Sequence, residues 1–226
     1  MLIPGQPWGV ITGSGMVTKN GIPLLNSGGT YISKAGENFG SVYPSVTGGL
    51  QNELSIGKNI RLNINLDYQA GGRFFSLSQM WGTYSGLTAR TASVNDKGIS
   101  VRLPVTDGGG VHVSGIDVNM LKEVDYYVEA QEYFHSLYNN RIFNSFVFDA
   151  SYVKLRELSL SYKIRFDEGK TGSFLKGAEI TVYSENLFMI WAAQKNFDPS
   201  ELQFTCGEKG QFPSVRSFGT NLRFEF

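Results

Sequence analysis

Arg216-Ser217-Phe218-Gly219-Thr220-Asn221-Leu222-Arg223-Phe224-Glu225-Phe226 closes the chain. From Phe218 onward, Phe218, Thr220, Leu222, Phe224 and Phe226 alternate with Gly219, Asn221, Arg223 and Glu225. Period-2 alternation gives a strand with one apolar and one polar face. A strand of about 9–11 residues spans the hydrocarbon core of a bilayer when tilted. A chain that closes on an aromatic residue of such a strand points to a transmembrane barrel.

A half-buried strand of a soluble β-sandwich alternates in the same way, so the recurrence of the pattern matters. Ile60, Leu62, Ile64, Leu66 and Tyr68 alternate with Arg61, Asn63, Asn65, Asp67 and Gln69. Leu158, Leu160, Tyr162 and Ile164 alternate with Glu157, Ser159, Ser161 and Lys163. In a third stretch Ile180, Val182 and Ser184 alternate with Glu179, Thr181, Tyr183 and Glu185, and the pattern fades toward Asn186-Leu187-Phe188.

Six strands can be placed: Trp8 to Met16, Val46 to Ile56, Ile60 to Ala70, Ser151 to Phe166, Ala178 to Ile190, and the closing strand. Residues 18–45, rich in Gly and Ser, read as a loop. Gly57-Lys58-Asn59 reads as a tight hairpin, since Gly and Asn tolerate positive φ. The other connections are 71–149, a turn over 167–177, and 191–213. Counted back from Phe226, every long connection falls on the extracellular side and every short one on the periplasmic side, as in outer-membrane barrels.

Composition sets bounds. The 226 residues are 41% hydrophobic, with a mean hydropathy of -0.15, as expected where only half of each strand meets lipid. Twenty Lys plus Arg balance twenty Asp plus Glu, which gives no electrostatic footprint for nucleic acid. The 16 Phe, 11 Tyr and 27 Gly suit aromatic girdles joined by loops, and equally a carbohydrate-binding sandwich. The single cysteine, Cys206, reads as an incidental loop thiol. There is no apolar stretch long enough for a transmembrane helix, and Met1-Leu2-Ile3-Pro4-Gly5 is not a signal peptide.

Asp149-Ala150-Ser151-Tyr152-Val153-Lys154-Leu155-Arg156-Glu157-Leu158-Ser159-Leu160-Ser161-Tyr162 resembles a segment of the SusC/RagA family of TonB-dependent outer-membrane transporters. Tyr183-Ser184-Glu185-Asn186-Leu187-Phe188, Asn196-Phe197-Asp198-Pro199-Ser200-Glu201, the terminus from Phe212-Pro213 to Phe226, and Tyr43-Pro44-Ser45-Val46-Thr47-Gly48-Gly49-Leu50 are similar to further pieces of that family. Ser200 departs from the family's Asp-Pro-Glu run. The resemblance implies an all-β fold: an antiparallel transmembrane β-barrel segment, about the last six strands of a larger barrel, with long extracellular loops. Residues 1–226 would be the C-terminal part of a TonB-dependent receptor barrel, with plug domain, signal peptide and N-terminal strands absent.

The implied function is a share in an energy-coupled outer-membrane importer of oligosaccharides or peptides. The implied partners are outer-membrane lipid, the remainder of the barrel and plug, a SusD-like lipoprotein, and TonB indirectly, with no nucleic acid. The implied location is the cell outer membrane, as a multi-pass barrel. Six strands alone cannot close the smallest known membrane barrel of eight, and an open sheet in lipid leaves unpaired backbone groups at two edges. The alternative reading is a soluble, secreted β-sandwich that binds carbohydrate. It predicts that the even-numbered residues of the last strand pack against a second sheet.

Candidate chemistry is sparse, and the chain does not read as an enzyme. His112 and His135 lack a Cys, carboxylate or Ser arrangement of recognisable spacing, and Asp107-Gly108-Gly109-Gly110 lacks the Lys-Ser/Thr of a phosphate loop. No cofactor or metal is expected. Asp198 and Glu201, beside Pro199, read as turn-formers. Arg61, Asp67, Glu157, Arg223 and Glu225 read as polar-face residues. Within 71–149, residues 119–138 have helical spacing, and Phe75 to Tyr84 is a second helix candidate. Trp81, Tyr84, Tyr133 and Trp191 are the candidate substrate or partner contacts. Lys154 and Arg156 disturb the fourth strand's alternation, and one of them is expected to snorkel toward lipopolysaccharide phosphates.

Overall fold

The computed structural model describes residues 4–6, 8–166, 174–202 and 207–226. Cys206 and residues 167–173 of the turn at 167–177 lie outside them. The chain forms two compact units. One comprises Met1–Tyr43, Arg73–Phe148 and Gln203–Gly210, and the other Pro44–Gly72, Asp149–Leu202 and Gln211–Phe226.

In the first unit, β1 (Val10–Met16), β2 (Thr18–Lys19), β3 (Ile22–Leu25) and β4 (Ser33–Ser41) follow one another. β1 pairs antiparallel with β4, while β2 and β3 form a hairpin. The hairpin turn sits at Asn20 and Gly21, with φ 54° and 83°, the left-handed pair that matches strand twist in a tight hairpin. Residues 18–45 thus hold strands rather than a loop. They were illegible because β2 is two residues long and the surrounding Gly and Ser mask any alternation.

The hydrophobic core of this unit is built by α1 (Leu77–Tyr84) and α2 (Ala130–Asn139). Met80, Val101, Phe134, Leu137, Ile142 and Phe146 are buried together there. Ser76 caps α1 by accepting from the Gln79 backbone N–H at 3.1 Å. Glu208 lies at the same helix start, accepting from the Ser76 and Ser78 hydroxyls and the Ser78 N–H. Burial raises the Glu208 carboxyl, but these bonds outweigh it and hold it below the usual carboxylate range.

β8 (Val111–Asp117) and β9 (Lys122–Val128) pair antiparallel, and β3 pairs parallel with β8. The expected helix over 119–138 therefore begins only at Ala130. Val124, Tyr126 and Val128 have helical spacing in part, but as β-branched and aromatic residues they favour a pleated surface, and β8 supplies the partner.

The second unit is one open antiparallel sheet. Its strands are β5 (Pro44–Ile56), β6 (Ile60–Gly71), β11 (Tyr152–Arg165), β12 (Gly177–Ala192) and β13 (Ser217–Glu225), in the order β13-β12-β11-β6-β5. The short strands β7 (Arg73–Phe75) and β10 (Val147–Asp149) pair with each other outside it. Gly57, with φ 64°, turns β5 into β6 as the sequence predicts. Leu222, Ile180, Tyr162, Ile60 and Ile56 form one cross-strand row, and Thr220, Val182, Leu160, Leu62 and Leu54 the next. The opposite face carries the Lys163–Glu225 pair at 2.6 Å, the Arg61–Glu53 pair at 3.4 Å, and the Ser161–Thr181 hydroxyl bond at 2.8 Å.

These observations correct the expected architecture. The chain is not all-β: its described residues hold two α-helices and a mixed sheet with a parallel pair. The antiparallel sheet has five strands, because the first expected strand pairs with β4 elsewhere, and its edges β5 and β13 do not meet. No closed barrel forms among the described residues. With it fall the multi-pass outer-membrane location and the partners that depended on it: lipid, a remaining barrel and plug, a SusD-like lipoprotein and TonB. No helix among the described residues is long and apolar enough to cross a membrane. Phe218, Leu222, Phe224 and Phe226 are 53–72% exposed, and among the described residues no second sheet of this unit covers them.

Leu137 is fully buried between the helices and the Phe146 segment. Leu137→Ala should destabilise the first unit by about 3 kcal/mol, the transfer loss plus the cavity left behind. Urea unfolding followed by near-ultraviolet circular dichroism checks this, and a loss under about 1 kcal/mol would show that the core is not closed around this side chain.

Candidate functional site

Spacing of three along each helix puts Trp81 and Tyr84 on one face of α1, and His135 and Tyr138 on one face of α2. The four rings meet. Tyr84 stacks on His135 with centroids 4.0 Å apart and planes 10° from parallel. Trp81 lies 4.9 Å from Tyr138, and Tyr84 contacts Tyr138 edge-on at 5.6 Å. Beside the stack opens a cleft of about 590 Å³, lined by Tyr84, Arg102, Glu129, Gln131, Phe134 and His135 among others. Cooperating aromatic and polar groups in such a volume are typical of small-ligand sites.

The polar wall is held in place. Arg102 donates through Nε to the Thr91 carbonyl at 2.8 Å and through Nη2 to the Gly86 carbonyl and the Thr91 hydroxyl. Glu129 accepts from the Val105 N–H at 2.9 Å. The cleft is therefore braced by the chain between the helices rather than by the helices alone.

Tyr133, another candidate contact, is half-buried and packs against the core. Its ring meets Tyr31 and Phe134 edge-on at 6.0 and 5.1 Å, and burial pushes its phenol well above the ordinary tyrosine range. Trp191 belongs to the other unit and is 53% exposed. It lines a separate cleft of about 780 Å³ with Phe188, Ile190, Phe197, Pro213, Lys195 and Arg216. Trp81 and Tyr84 are thus brought together, and His135, Tyr138 and Arg102 join them. The helical offsets 81/84 and 135/138 were the available sequence signal for the two additional rings.

The floor of the Trp191 cleft is a buried ion pair. Lys154 is 2% exposed, and its ammonium donates to Asp198 Oδ2 at 2.7 Å, Ser200 Oγ at 3.0 Å and Ser214 Oγ at 2.6 Å. Asp198 also accepts from the Ser200 N–H and hydroxyl and the Ser214 hydroxyl. Burial raises the Asp198 carboxyl, but the bonds from Lys154, Ser200 and Ser214 outweigh it and leave it below its ordinary value. Arg156 pairs with Asp67 through Nε and Nη2 at 2.9 and 2.8 Å. Neither cation snorkels, so the expected phosphate contact is corrected. Asp198 does form a turn, capping the 3₁₀ segment Pro199–Glu201, and it anchors a strand as well.

The register explains why Lys154 points inward. Opposite both neighbours the pairing of β11 shifts between Leu155 and Glu157, a β-bulge at Arg156 that exchanges the two faces. Leu155 then pairs with Leu66, and Lys154 with Asp67, on the polar side.

Among the described residues no group of three or more His, Cys, Asp or Glu is placed to hold a metal ion. His112 stacks on Tyr127, with Nε2 3.2 Å from Asp125 and Nδ1 3.7 Å from Asp96.

No protein-family model matches the chain, and no curated protein does. Several solved structures are similar, among them two of RagAB. One is described as the RagAB peptide importer in the 'closed-closed' state, with TM-score 0.53 and 18% identity over 89% of this chain. The other is described as the RagAB peptide transporter, with TM-score 0.53 and 17% identity over 94% of this chain. This chain spans 20% of the length of each. At that identity the likeness is one of fold, and it agrees with the SusC/RagA resemblance at that level.

Lys154→Met strips a buried carboxylate of its partner, so it should cost the second unit about 3–5 kcal/mol. Lys154→Met with Asp198→Asn should recover most of this. Because the folded Asp198 carboxyl lies below its unfolded value of 3.8, its contribution is complete above that pH. It is lost as the pH falls through the lower folded value. Denaturation midpoints measured on the acid side should show that loss in the native chain and not in Asp198→Asn.

Proposed function

We propose that this chain is a non-catalytic binding element for an oligosaccharide or peptide, serving its uptake. The observation that carries the reading is the cleft beside the Tyr84–His135 stack. Tyr84 and His135, which line the cleft, offer C–H/π contact to a sugar ring or apolar side chain, and Arg102, Glu129 and Gln131 offer hydrogen bonds to hydroxyl or amide groups. The proteins described as RagAB peptide importer and transporter support the link to uptake through fold. They also support the absence of a reaction.

Within this reading a carbohydrate-binding module is favoured over a conduit. Binding needs only the braced cleft, whereas passage needs an enclosed channel that five open strands do not form. Tyr84 is the residue proposed to reach the ligand, with His135 as the stacking partner that fixes it, while Trp81 backs the stack through Tyr84 and Tyr138. Trp191 is proposed as a contact of the separate cleft.

Titration calorimetry of the chain against neutral oligosaccharides and against decapeptides tests this. One class should bind, and Tyr84→Ala or His135→Ala should weaken it about tenfold, the loss of roughly one stacking contact. Tyr133→Phe, within the core, should leave affinity unchanged. No binding of either class, or equal affinity after Tyr84→Ala, would remove the cleft from function.

A further inference from the structure

β12 runs to Ala192, but β13 begins only at Ser217, opposite Glu185. Residues 186–192 pair with β11 on one side. On the other side no strand pairs with them among the described residues, and there lies the 780 Å³ cleft.

The reason is local. Ser214 is held over the polar face by Lys154 and Asp198, and Pro213 has no N–H to offer a ladder. The chain therefore approaches β13 from above the sheet and enters the β12 edge late. A stretch of edge with its backbone groups turned to a cleft is the geometry of strand addition.

Among the residues that line the cleft, the charge is one-sided. Lys154, Lys195 and Arg216 line the cleft against one carboxylate, Asp198. Asp198 is consumed by Lys154, and no ion pair engages Lys195 or Arg216 among the described residues. Phe188, Ile190, Trp191 and Phe197 supply apolar walls.

We propose that the free edge of β12 over residues 186–192 takes an added strand from an extended peptide with acidic character. The lane continues that of β13, so the peptide runs antiparallel to β12 and ends beside Ser217. Its terminal carboxylate meets Arg216, alternate side chains enter the apolar wall, and an acidic side chain is drawn to Lys195. This site is independent of the cleft beside Tyr84 and stands or falls separately.

The probe is fluorescein-linker-Asp-Val-Thr-Val-Thr-Val with a free C-terminal carboxylate, titrated with the full chain and read by anisotropy. Saturable binding is expected. Amidating the C-terminus should weaken it about tenfold, as expected for one charge-assisted bond, and in Arg216→Ala amidation should have no further effect. Methylating the backbone nitrogens of one parity should abolish binding, while methylating the other parity should leave it within about twofold, because only alternate amides face a neighbouring strand. The methylation test uses the unaltered protein, so misfolding cannot mimic the result. Equal binding of both methylated probes, indifference to amidation, or no saturable binding would overturn the proposal.

Discussion

The ammonium of Lys154 is buried, and its three N–H donors go to Asp198, Ser200 and Ser214. A buried cation without partners is intolerable, so these residues must be where they are. That requirement pins two loop segments to β11. It holds the Pro199–Glu201 turn on one side and the approach to β13 on the other. The late start of β13, the bare stretch of β12 and the cleft beneath Trp191 follow from it. A neutral residue at 154 would leave the loops free to settle on the β12 edge, since apolar packing around a methionine sets no direction.

Lys154 reaches that position only because β11 bulges at Arg156. Without the extra residue, strict alternation would put Lys154 on the apolar face with Leu158 and Leu160. The bulge places Arg156 by Asp67 and Asn186, and Asn186 takes a positive φ of 50° where β12 bends to follow. Two bulged strands side by side strengthen the local twist. They also explain why the alternation fades at Asn186-Leu187-Phe188, which in the sequence resembles the end of a strand.

The five strands of the open sheet were legible because period 2 persists over many residues and needs no knowledge of partners. α1 was legible as a helix candidate over Phe75 to Tyr84, and it forms over Leu77–Tyr84. Closure was not, because alternation tells that a strand has two faces and not what covers them. Nor does it tell which strands share a sheet: Val10–Met16 alternates weakly and pairs with Ser33–Ser41, a stretch with no alternation to recognise. The site was half legible. Trp81 and Tyr84 stand out as aromatic residues in a long connection, whereas Arg102 and Glu129 enter the cleft through backbone bonds that no spacing encodes. Tyr133, four residues before Leu137, packs against the core, where the Tyr31 ring meets it.

The two units solve the stability problem differently. The first buries Leu137, Ile142 and Phe146 completely, so the hydrophobic effect supports it at about 25 cal/mol per Å² of apolar surface removed from water. The sheet of the second unit leaves its apolar rows largely exposed, and burial contributes much less there. What remains are the ladder bonds and cross-strand pairs, each of roughly 0.2–1 kcal/mol, gathered on the polar face. The Lys163–Glu225 pair, the Asn63–Ser159 bond, the Ser161–Thr181 bond and the Lys154 cluster all lie there. Such interactions are directional where apolar contact is not, so they fix register and loop position more sharply than they add stability. The cleft beneath Trp191 accordingly owes its shape to the polar face, and the apolar walls fill a frame that the hydrogen bonds have set.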